Sequence, residues 1–300
     1  MAIEIQRLGV AGGGQMGSGI AQIAAQAGLE VSLYDVTEAL ARAGMEAARQ
    51  RLARLAERGN LSAAAAQEAG SRIHPAAQLE AFARADFVIE AIVENEPAKA
   101  ELFRRLNEIC SPKAIFASNT SSISITRLGA ASGRPALFIG MHFMNPPPVM
   151  KLVEVIRGLE TSDETYAATR SLAERLGKTT ITVEDAPGFV VNRILLPMIN
   201  EAIFALQEGV GSAPDIDTGM RLGTNQPMGP LELADLIGLD TCLAILEVLH
   251  RGLGEDKYRP CALLRKYVDA GFFGRKSGRG FYLYGRDGKK TGVTVAGTST

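Results

Sequence analysis

Over the first 184 residues, short apolar runs alternate with longer segments whose apolar positions recur at helical spacing. Helical spacing occupies residues 37–58, 97–109 and 163–176, between several of the apolar runs. Such alternation predicts an α/β domain built on a mostly parallel sheet. The apolar runs predict strands at Ile3–Val10, Val31–Asp35, Phe87–Ala91, Ile115–Ser118, Leu137–Met141, Met150–Ile156 and Thr180–Val183.

The pattern changes at residue 185, after which only helices are predicted as far as about residue 270. Pro187 stands where the first of them should begin, because its fixed φ and missing N–H suit a helix start. Residues 286–300 are polar and small, which is typical of a flexible tail. We therefore predict an α/β domain over 1–184, an all-α domain over 185–285 and a tail over 286–300, with helices at 187–208, 214–222, 229–236, 238–252 and 259–270.

Composition narrows the class of protein. The formal net charge is −1, so no basic surface indicates a nucleic-acid or membrane partner. The chain contains no run of about 18 apolar residues that would span a bilayer, and its N-terminus does not read as a signal peptide. Three scattered cysteines fit neither a disulfide framework nor a metal site. We expect a cytoplasmic protein with reduced thiols and no metal.

A glycine-rich turn follows the first predicted strand and opens a helix. Gly12, Gly14 and Gly17 give the spacing GxGxxG in the strand–turn–helix context that this motif requires. Gly12 permits the tight turn, Gly14 lets a pyrophosphate approach the backbone, and Gly17 lets the helix pack closely on the strand. Free N–H groups at the helix start would then bind the phosphates, which predicts a Rossmann-type dinucleotide site.

Asp35 ends the second predicted strand, 18 residues after Gly17. A carboxylate at this place accepts hydrogen bonds from the adenosine ribose hydroxyls and repels a 2′-phosphate, which favours NAD over NADP. Arg42, seven residues further on, is a cation that would soften this preference.

His142 and Glu154 form the second candidate constellation. His142 ends a predicted strand, three prolines follow, and Glu154 lies in the next extended segment. Neighbouring strands would place the imidazole beside the carboxylate, which holds one tautomer and stabilises the imidazolium. This is the arrangement of a general base that takes a proton from an alcohol. A satisfied core histidine is the alternative, and His74 and His250 are both interpreted as structural.

These motifs together resemble the L-3-hydroxyacyl-CoA dehydrogenase family, over about residues 5–285. The resemblance implies NAD-dependent interconversion of a short 3-hydroxyacyl-CoA, such as 3-hydroxybutyryl-CoA, and the 3-oxoacyl-CoA. Several of its marks are far more specific than the glycine spacing. They are GGGQMGSGIAQIAA at 12–25, VIEAIVEN at 88–95, SNTSSISI at 118–125, HFMNPPPVMKLVEVI at 142–156, PGFVVNRIL at 187–195, GPLELADLIGLD at 229–240 and GRKSGRGFYLY at 274–284.

The resemblance also implies roles for individual residues. His142 would be the base, Glu154 would orient it, and Ser121 and Asn192 would contact the substrate. From the sequence alone, Ser121 also fits a helix N-cap, and Asn192 also fits a buried, hydrogen-bonded asparagine. The implied cofactor contacts are, besides the three glycines and Asp35, Gln15, Met16, Glu94, Lys99, Asn145 and Lys276.

The candidate CoA contacts lie on the first long predicted helix. Members of the family often carry lysines near the end of the first long helix, where this chain has Arg49, Arg51, Arg54 and Arg58. Arginine binds phosphate bidentately, so Arg51 and Arg54 are candidate CoA contacts, although such spacing also gives a plain charged helix face. The resemblance further implies a homodimer.

Two other functions remain open from the sequence. A related dehydrogenase of a free hydroxy acid or sugar acid, such as L-gulonate, would share the glycine turn and the His–Glu pair. It would not need a phosphate-binding helix. A non-catalytic NAD-binding structural protein is the alternative from a different class, and the intact set of His142, Glu154, Ser121 and Asn192 argues against it.

Overall fold

The computed structural model describes residues 4–294 and divides into two compact units, which meet in the chain between Phe189 and Val190. The first unit contains an eight-stranded sheet. Its strands are β1 (Arg7–Ala11), β2 (Glu30–Tyr34), β3 (Ile73–Ala76), β4 (Phe87–Glu90), β5 (Ile115–Ser118), β6 (Phe138–Phe143), β7 (Leu152–Arg157) and β8 (Thr179–Glu184). Its helices are α1 (Gln15–Gln26), α2 (Glu38–Glu57), α3 (Ala63–Ser71), α4 (Glu96–Ile109), α5 (Ile125–Ala131) and α6 (Asp163–Arg175), with short 3-10 turns at Leu79–Phe82 and Pro135–Leu137.

The strand order is β3-β2-β1-β4-β5-β6-β7-β8, and every neighbouring pair is parallel except β6 and β7. The order reverses between β1 and β4, which opens a crevice at the carboxyl ends of these strands. Ligands of open α/β sheets bind in such a crevice. The α/β prediction is confirmed, and the one antiparallel pair is the pair that carries His142 and Glu154.

Both faces of the sheet are buried at its central strands β4, β5 and β6, as expected for a parallel sheet that helices cover on both sides. Along β5, Ile115 and Ala117 join the core beneath α1, α2, α3 and α6, whereas Phe116 joins the core beneath α4 and α5. Phe103 of α4 packs against the rings of Phe116 and Phe138, at centroid distances of 5.8 and 4.7 Å. Burial of each such ring stabilises the fold by about 1.5–3 kcal/mol.

The second unit is mainly helical. Its helices are α7 (Val191–Gln207), α8 (Ala213–Gly223), α9 (Pro230–Ile237), α10 (Leu239–Leu253) and α11 (Ala262–Asp269), with 3-10 turns at Asp256–Tyr258 and Arg275–Ser277. Leu196, Ile199 and Ile203 supply the α7 side of its core. Among the described residues, no helix is both long and apolar enough to cross a membrane.

Two details of the second unit differ from the expectation. The first helix begins at Val191 and not at Pro187, because Gly188 and Phe189 have φ of 75° and 52°, which a right-handed helix excludes. The tail expected from residue 286 instead forms a strand, β10 (Lys290–Val293), which pairs antiparallel with β9 (Tyr282–Tyr284). Residues 295–300 lie outside the described part of the chain.

Candidate active site

The glycine turn between β1 and α1 has the close contacts that its spacing predicts. Gly12 has φ of 111°, and a Cβ there would lie 2.4 Å from the carbonyl oxygen of Ala91. A Cβ on Gly17 would overlap the carbonyl oxygen of Gly12 at 1.8 Å, so only glycine fits. Gly14, in contrast, has no heavy atom within 4 Å of an added Cβ. The turn is therefore closed on its protein side and open above Gly14.

Asp35 follows β2 and is fixed by the main chain. Its Oδ2 accepts the Gly13 N–H at 2.7 Å, and its Oδ1 accepts the Val36 N–H at 2.7 Å. Each carboxylate oxygen can accept about two hydrogen bonds, so each retains capacity for a ligand hydroxyl. The carboxylate thus lies directly against the glycine turn, where the ribose next to a bound pyrophosphate would be.

These features fit a dinucleotide cofactor. The open space above Gly14 would admit a pyrophosphate to the N-terminus of α1, where Gln15 is exposed and Met16 is half-buried. The fixed carboxylate of Asp35 supplies the acceptors for a ribose.

His142 and Glu154 face each other across the antiparallel β6–β7 pair, in direct register. Nδ1 of His142 lies 2.7 Å from Oε2 of Glu154, and the two side chains are 10% and 0% exposed. Because an ionised carboxylate only accepts hydrogen bonds, a neutral imidazole paired with it carries its proton on Nδ1 and its lone pair on Nε2. The ring of Phe189 lies beside the imidazole, with 5.8 Å between the two ring centroids.

Glu94 accepts several hydrogen bonds from the loop after β5. Its Oε1 accepts hydrogen bonds from Thr120 Oγ1 at 2.6 Å, from the Ser121 N–H at 2.9 Å and from Ser121 Oγ at 3.2 Å. Burial alone would raise the pKa of Glu94, but the charge of Lys99 and these hydrogen bonds lower it overall. Ser121 does not cap a helix, since the N-cap of α5 is Ser124. The structure therefore ties Ser121 to Glu94.

Lys99 lies beneath the same edge of the sheet, and its side chain is 1% exposed. Its contact with the cofactor stays a prediction from the family resemblance. Its Nζ lies 2.5 Å from Oε1 of Glu90 and 3.2 Å from Oε2 of Glu94. We therefore interpret Lys99 as a partner of these two carboxylates.

The other expected residues fall into three places. Asn145 is exposed in the loop after β6. Asn192 and Lys276 belong to the second unit, where Asn192 lies in the first turn of α7 and Lys276 Nζ pairs with Asp240 at 2.6 Å. Arg51 and Arg54 lie on α2, where Arg51 donates to Gln22 Oε1 at 2.6 Å and to Ser18 Oγ at 3.1 Å, whereas Arg54 is exposed.

Three residues of this edge were not selected from the sequence. Glu90 ends β4 without exposed surface, Asn119 accepts the Phe143 N–H at 2.9 Å and so joins the ends of β5 and β6, and Thr120 donates to Glu94. The sequence feature that could have identified them is a polar residue at the carboxyl end of an apolar strand, because ligands of such sheets bind at that end.

Comparisons with known proteins agree with this geometry. The family model described as 3-hydroxyacyl-CoA dehydrogenase, NAD binding domain, matches residues 7–186, and the model of the C-terminal domain of the same enzymes matches residues 188–284. A probable 3-hydroxybutyryl-CoA dehydrogenase of Bacillus subtilis (strain 168) is 58% identical over 282 residues, which cover 94% of this chain and 98% of the relative.

Two further relatives extend the comparison. The 3-hydroxybutyryl-CoA dehydrogenase of Bradyrhizobium diazoefficiens is 54% identical over 284 residues, 95% of this chain and 97% of the relative. The crystal structure of (S)-3-hydroxybutyryl-CoA dehydrogenase from Ralstonia eutropha superposes with a TM-score of 0.92 at 49% identity, over 94% of this chain and 100% of that one. The chain therefore belongs to the 3-hydroxyacyl-CoA dehydrogenase family, whose NAD-binding and C-terminal domains it contains in that order.

Proposed function

We propose that this protein interconverts a short-chain (S)-3-hydroxyacyl-CoA, such as 3-hydroxybutyryl-CoA, and the corresponding 3-oxoacyl-CoA, with NAD as cofactor. The observation that carries the proposal is the buried His142–Glu154 pair, with 2.7 Å between Nδ1 and Oε2, at the sheet edge that also carries the glycine turn. The names of the relatives supply the substrate class.

The base is Nε2 of His142. Glu154 accepts a hydrogen bond from Nδ1–H and so holds the tautomer in which Nε2 can take the proton of the substrate hydroxyl. The imidazolium that forms is stabilised by the carboxylate of Glu154, which is buried and 2.7 Å away. In the reverse direction the same imidazolium returns a proton to the oxygen of the 3-oxo group.

The remaining site residues bind and orient. In this proposal the Ser121 N–H keeps its hydrogen bond to Glu94, whereas the Ser121 hydroxyl turns its one proton from Glu94 to the substrate oxygen. Asn192 stays a prediction from the family resemblance as a second substrate contact. The glycine turn with Gln15 and Met16, together with Asp35, Glu94 and Asn145, holds the cofactor in this proposal. Lys276 stays a prediction from the family resemblance. NAD, when bound, supplies the two-electron acceptor for the hydroxyl-bearing carbon.

NADH oxidation with acetoacetyl-CoA tests the proposal directly, with free acetoacetate at equal concentration as the comparison. We expect turnover of the thioester alone. Turnover of the free acid at a similar rate would favour a hydroxy-acid dehydrogenase, and turnover of neither with NADH still bound would favour a sugar-acid substrate or a non-catalytic role.

A CoA thioester needs a binding surface for its phosphates, and α2 supplies the candidates. Burial, and then the nearby charge of Arg54, lower the pKa of Arg51, whose guanidinium is held against α1 by Gln22 and Ser18. Arg54 is exposed one turn further along the same face. We assign the direct phosphate contact to Arg54, which is exposed, and a supporting contact to Arg51.

The protein forms a homodimer through its second unit in this proposal. Ile194 and Leu222 there are 68% and 75% exposed, and Val210 is 77% exposed. A subunit interface would remove these apolar side chains from water. Sedimentation equilibrium at micromolar concentration tests this, since a monomeric mass of 31.9 kDa would contradict it.

The cytoplasm is the proposed compartment, because Cys110, Cys242 and Cys261 are all buried free thiols.

A further inference from the structure

Glu90 is a buried carboxylate beneath the carboxyl edge of the sheet that the mechanism above does not use. It has no exposed surface, and three donors meet it. Oε1 accepts from the Ile92 N–H at 2.7 Å and from Lys99 Nζ at 2.5 Å, and Oε2 accepts from Ser118 Oγ at 2.5 Å. A buried charge is costly unless it is paired and hydrogen-bonded. Glu90 therefore occupies a site built to hold a carboxylate.

Lys99 connects this carboxylate to a second one. Its ammonium lies between Glu90 at 2.5 Å and Glu94 at 3.2 Å, and with 1% exposure it has almost no contact with water. Burial raises the pKa of Glu90, and Lys99 opposes that rise. The position of the Lys99 ammonium thus depends on both carboxylates, because each supplies part of the negative charge that replaces its hydration.

Glu94 connects the pair to the loop that carries Ser121. Its Oε2 faces Lys99, whereas its Oε1 accepts from Thr120 Oγ1 and from the N–H and Oγ of Ser121. A shift of the Lys99 ammonium would therefore rotate the carboxylate of Glu94 and move its hydrogen bonds to Ser121.

We propose that Glu90 is a positioning residue, which fixes Lys99, through Lys99 fixes Glu94, and through Glu94 sets the orientation of the Ser121 loop. The proposal rests on the function proposed above, in which Ser121 contacts the substrate. Glu90 acts through other residues and touches neither substrate nor cofactor.

The variant that tests it is Glu90→Gln, which keeps the shape of the side chain and removes its charge. The matched control is Asp86→Asn, at the amino end of β4, where Asp86 accepts the N–H groups of Gln6 and Arg7, each at 2.9 Å. Each variant removes the charge of one hydrogen-bonded carboxylate at an end of β4, with three donors at Glu90 and two at Asp86, but only Glu90 contacts Lys99. If Glu90→Gln does not fold, Ser118→Ala removes one donor from Glu90 and serves in its place.

Hydrogen exchange of the apo protein, followed by mass spectrometry, provides a readout that does not depend on activity. We expect faster exchange over residues 119–123 in Glu90→Gln, because the Ser121 N–H donates to Glu94, and unchanged exchange there in Asp86→Asn. Unchanged exchange in Glu90→Gln would overturn the proposal. If exchange is faster in Glu90→Gln but the wild type does not turn over acetoacetyl-CoA, the positioning role is supported and the proposed function is rejected.

Kinetics then test the link to Ser121. Misplaced catalytic groups cost roughly tenfold or more in rate, so we expect kcat with acetoacetyl-CoA to fall at least tenfold in Glu90→Gln. In a cycle with Ser121→Ala, the double variant should be about as slow as the slower single variant, since residues in one network are not additive. Losses that multiply, or an unchanged kcat in Glu90→Gln, would overturn the proposal.

Discussion

At the residue scale, the carboxylate of Asp35 is held on both oxygens by main-chain N–H groups, so it cannot turn away from the glycine turn without losing both bonds. We predict that Asp35→Ala weakens NADH binding and relaxes the discrimination against NADPH, because the acceptors for the ribose and the charge that repels a 2′-phosphate disappear together. Fluorescence titration with both cofactors measures this. Unchanged affinity for both would contradict the ribose role.

Arg54 is exposed on α2, and its charge is available for a phosphate. We predict that Arg54→Gln raises KM for acetoacetyl-CoA several-fold and leaves KM for the truncated thioester acetoacetyl-N-acetylcysteamine unchanged, because the truncated substrate lacks the phosphates. Exposed Arg104 on α4 provides the matched control. Equal effects of Arg54→Gln on the two substrates would remove Arg54 from the CoA site.

A contact between two side chains was predictable where both residues lie on strands that follow each other in the sequence. His142 and Glu154 are such a case, because a strand, a proline turn and a strand bring them into register. The partners of Lys99 were not predictable, since its contact with Glu90 depends on how α4 lies over the ends of β4 and β5. The role of Asn119 likewise depends on the pairing of β5 with β6, which the sequence does not specify.

At the scale of elements, two glycines of the turn between β1 and α1 have different surroundings. Gly17 is required by packing, whereas Gly14 is open on its Cβ side. We predict that Gly14→Ala keeps the stability of the apo protein within about 0.5 kcal/mol and lowers NADH affinity at least about tenfold, since the added methyl group obstructs the pyrophosphate. Gly223→Ala, also at an open position, is the control. Unchanged NADH affinity in Gly14→Ala would contradict a phosphate site here.

The C-terminal segment is held to α9 by one buried carboxylate. Asp235 accepts the N–H groups of Phe281 and Tyr282, each at 2.9 Å, and the Tyr284 hydroxyl at 3.0 Å. Burial nevertheless raises its pKa from 3.8 to about 6, against the hydrogen bonds of the Tyr282 and Phe281 amides. The folded state therefore binds this proton more tightly than the unfolded state does, and the stability that protonation contributes is lost as the pH rises through 6.

We predict that the free energy of unfolding of the wild type, measured relative to Asp235→Asn, falls by on the order of 1 kcal/mol between pH 5 and pH 7.5. Urea unfolding across this range measures the difference, and exposed Asp287→Asn gives the control. Parallel profiles for the wild type and Asp235→Asn would show that Asp235 keeps an ordinary pKa.

Element boundaries were less predictable than the elements themselves. Pro187 indicated a helix start, but positive φ at Gly188 and Phe189 delays the helix to Val191. The β9–β10 hairpin was missed because its second strand, Lys290–Val293, is short, polar and largely exposed. Its pairing depends on contacts such as Lys290 with Glu232, 2.6 Å apart, which a local pattern does not reveal.

At the scale of the whole molecule, each unit has its own hydrophobic core, and each coincides closely with one family domain. The order of an α/β unit and a helical unit was predictable, because the period of the apolar positions changes between them. Two-unit dehydrogenases of this family bind NAD in the first unit, and the described geometry of the glycine turn agrees with that assignment.

We propose His142, oriented by Glu154, as the base of this NAD-dependent dehydrogenase. The value of kcat for His142→Gln with acetoacetyl-CoA, measured together with the dissociation constant for NADH, tests this role. We predict that kcat falls by at least about 10²–10⁴-fold while NADH binding stays near that of the wild type. A variant that keeps nearly full kcat would contradict this role.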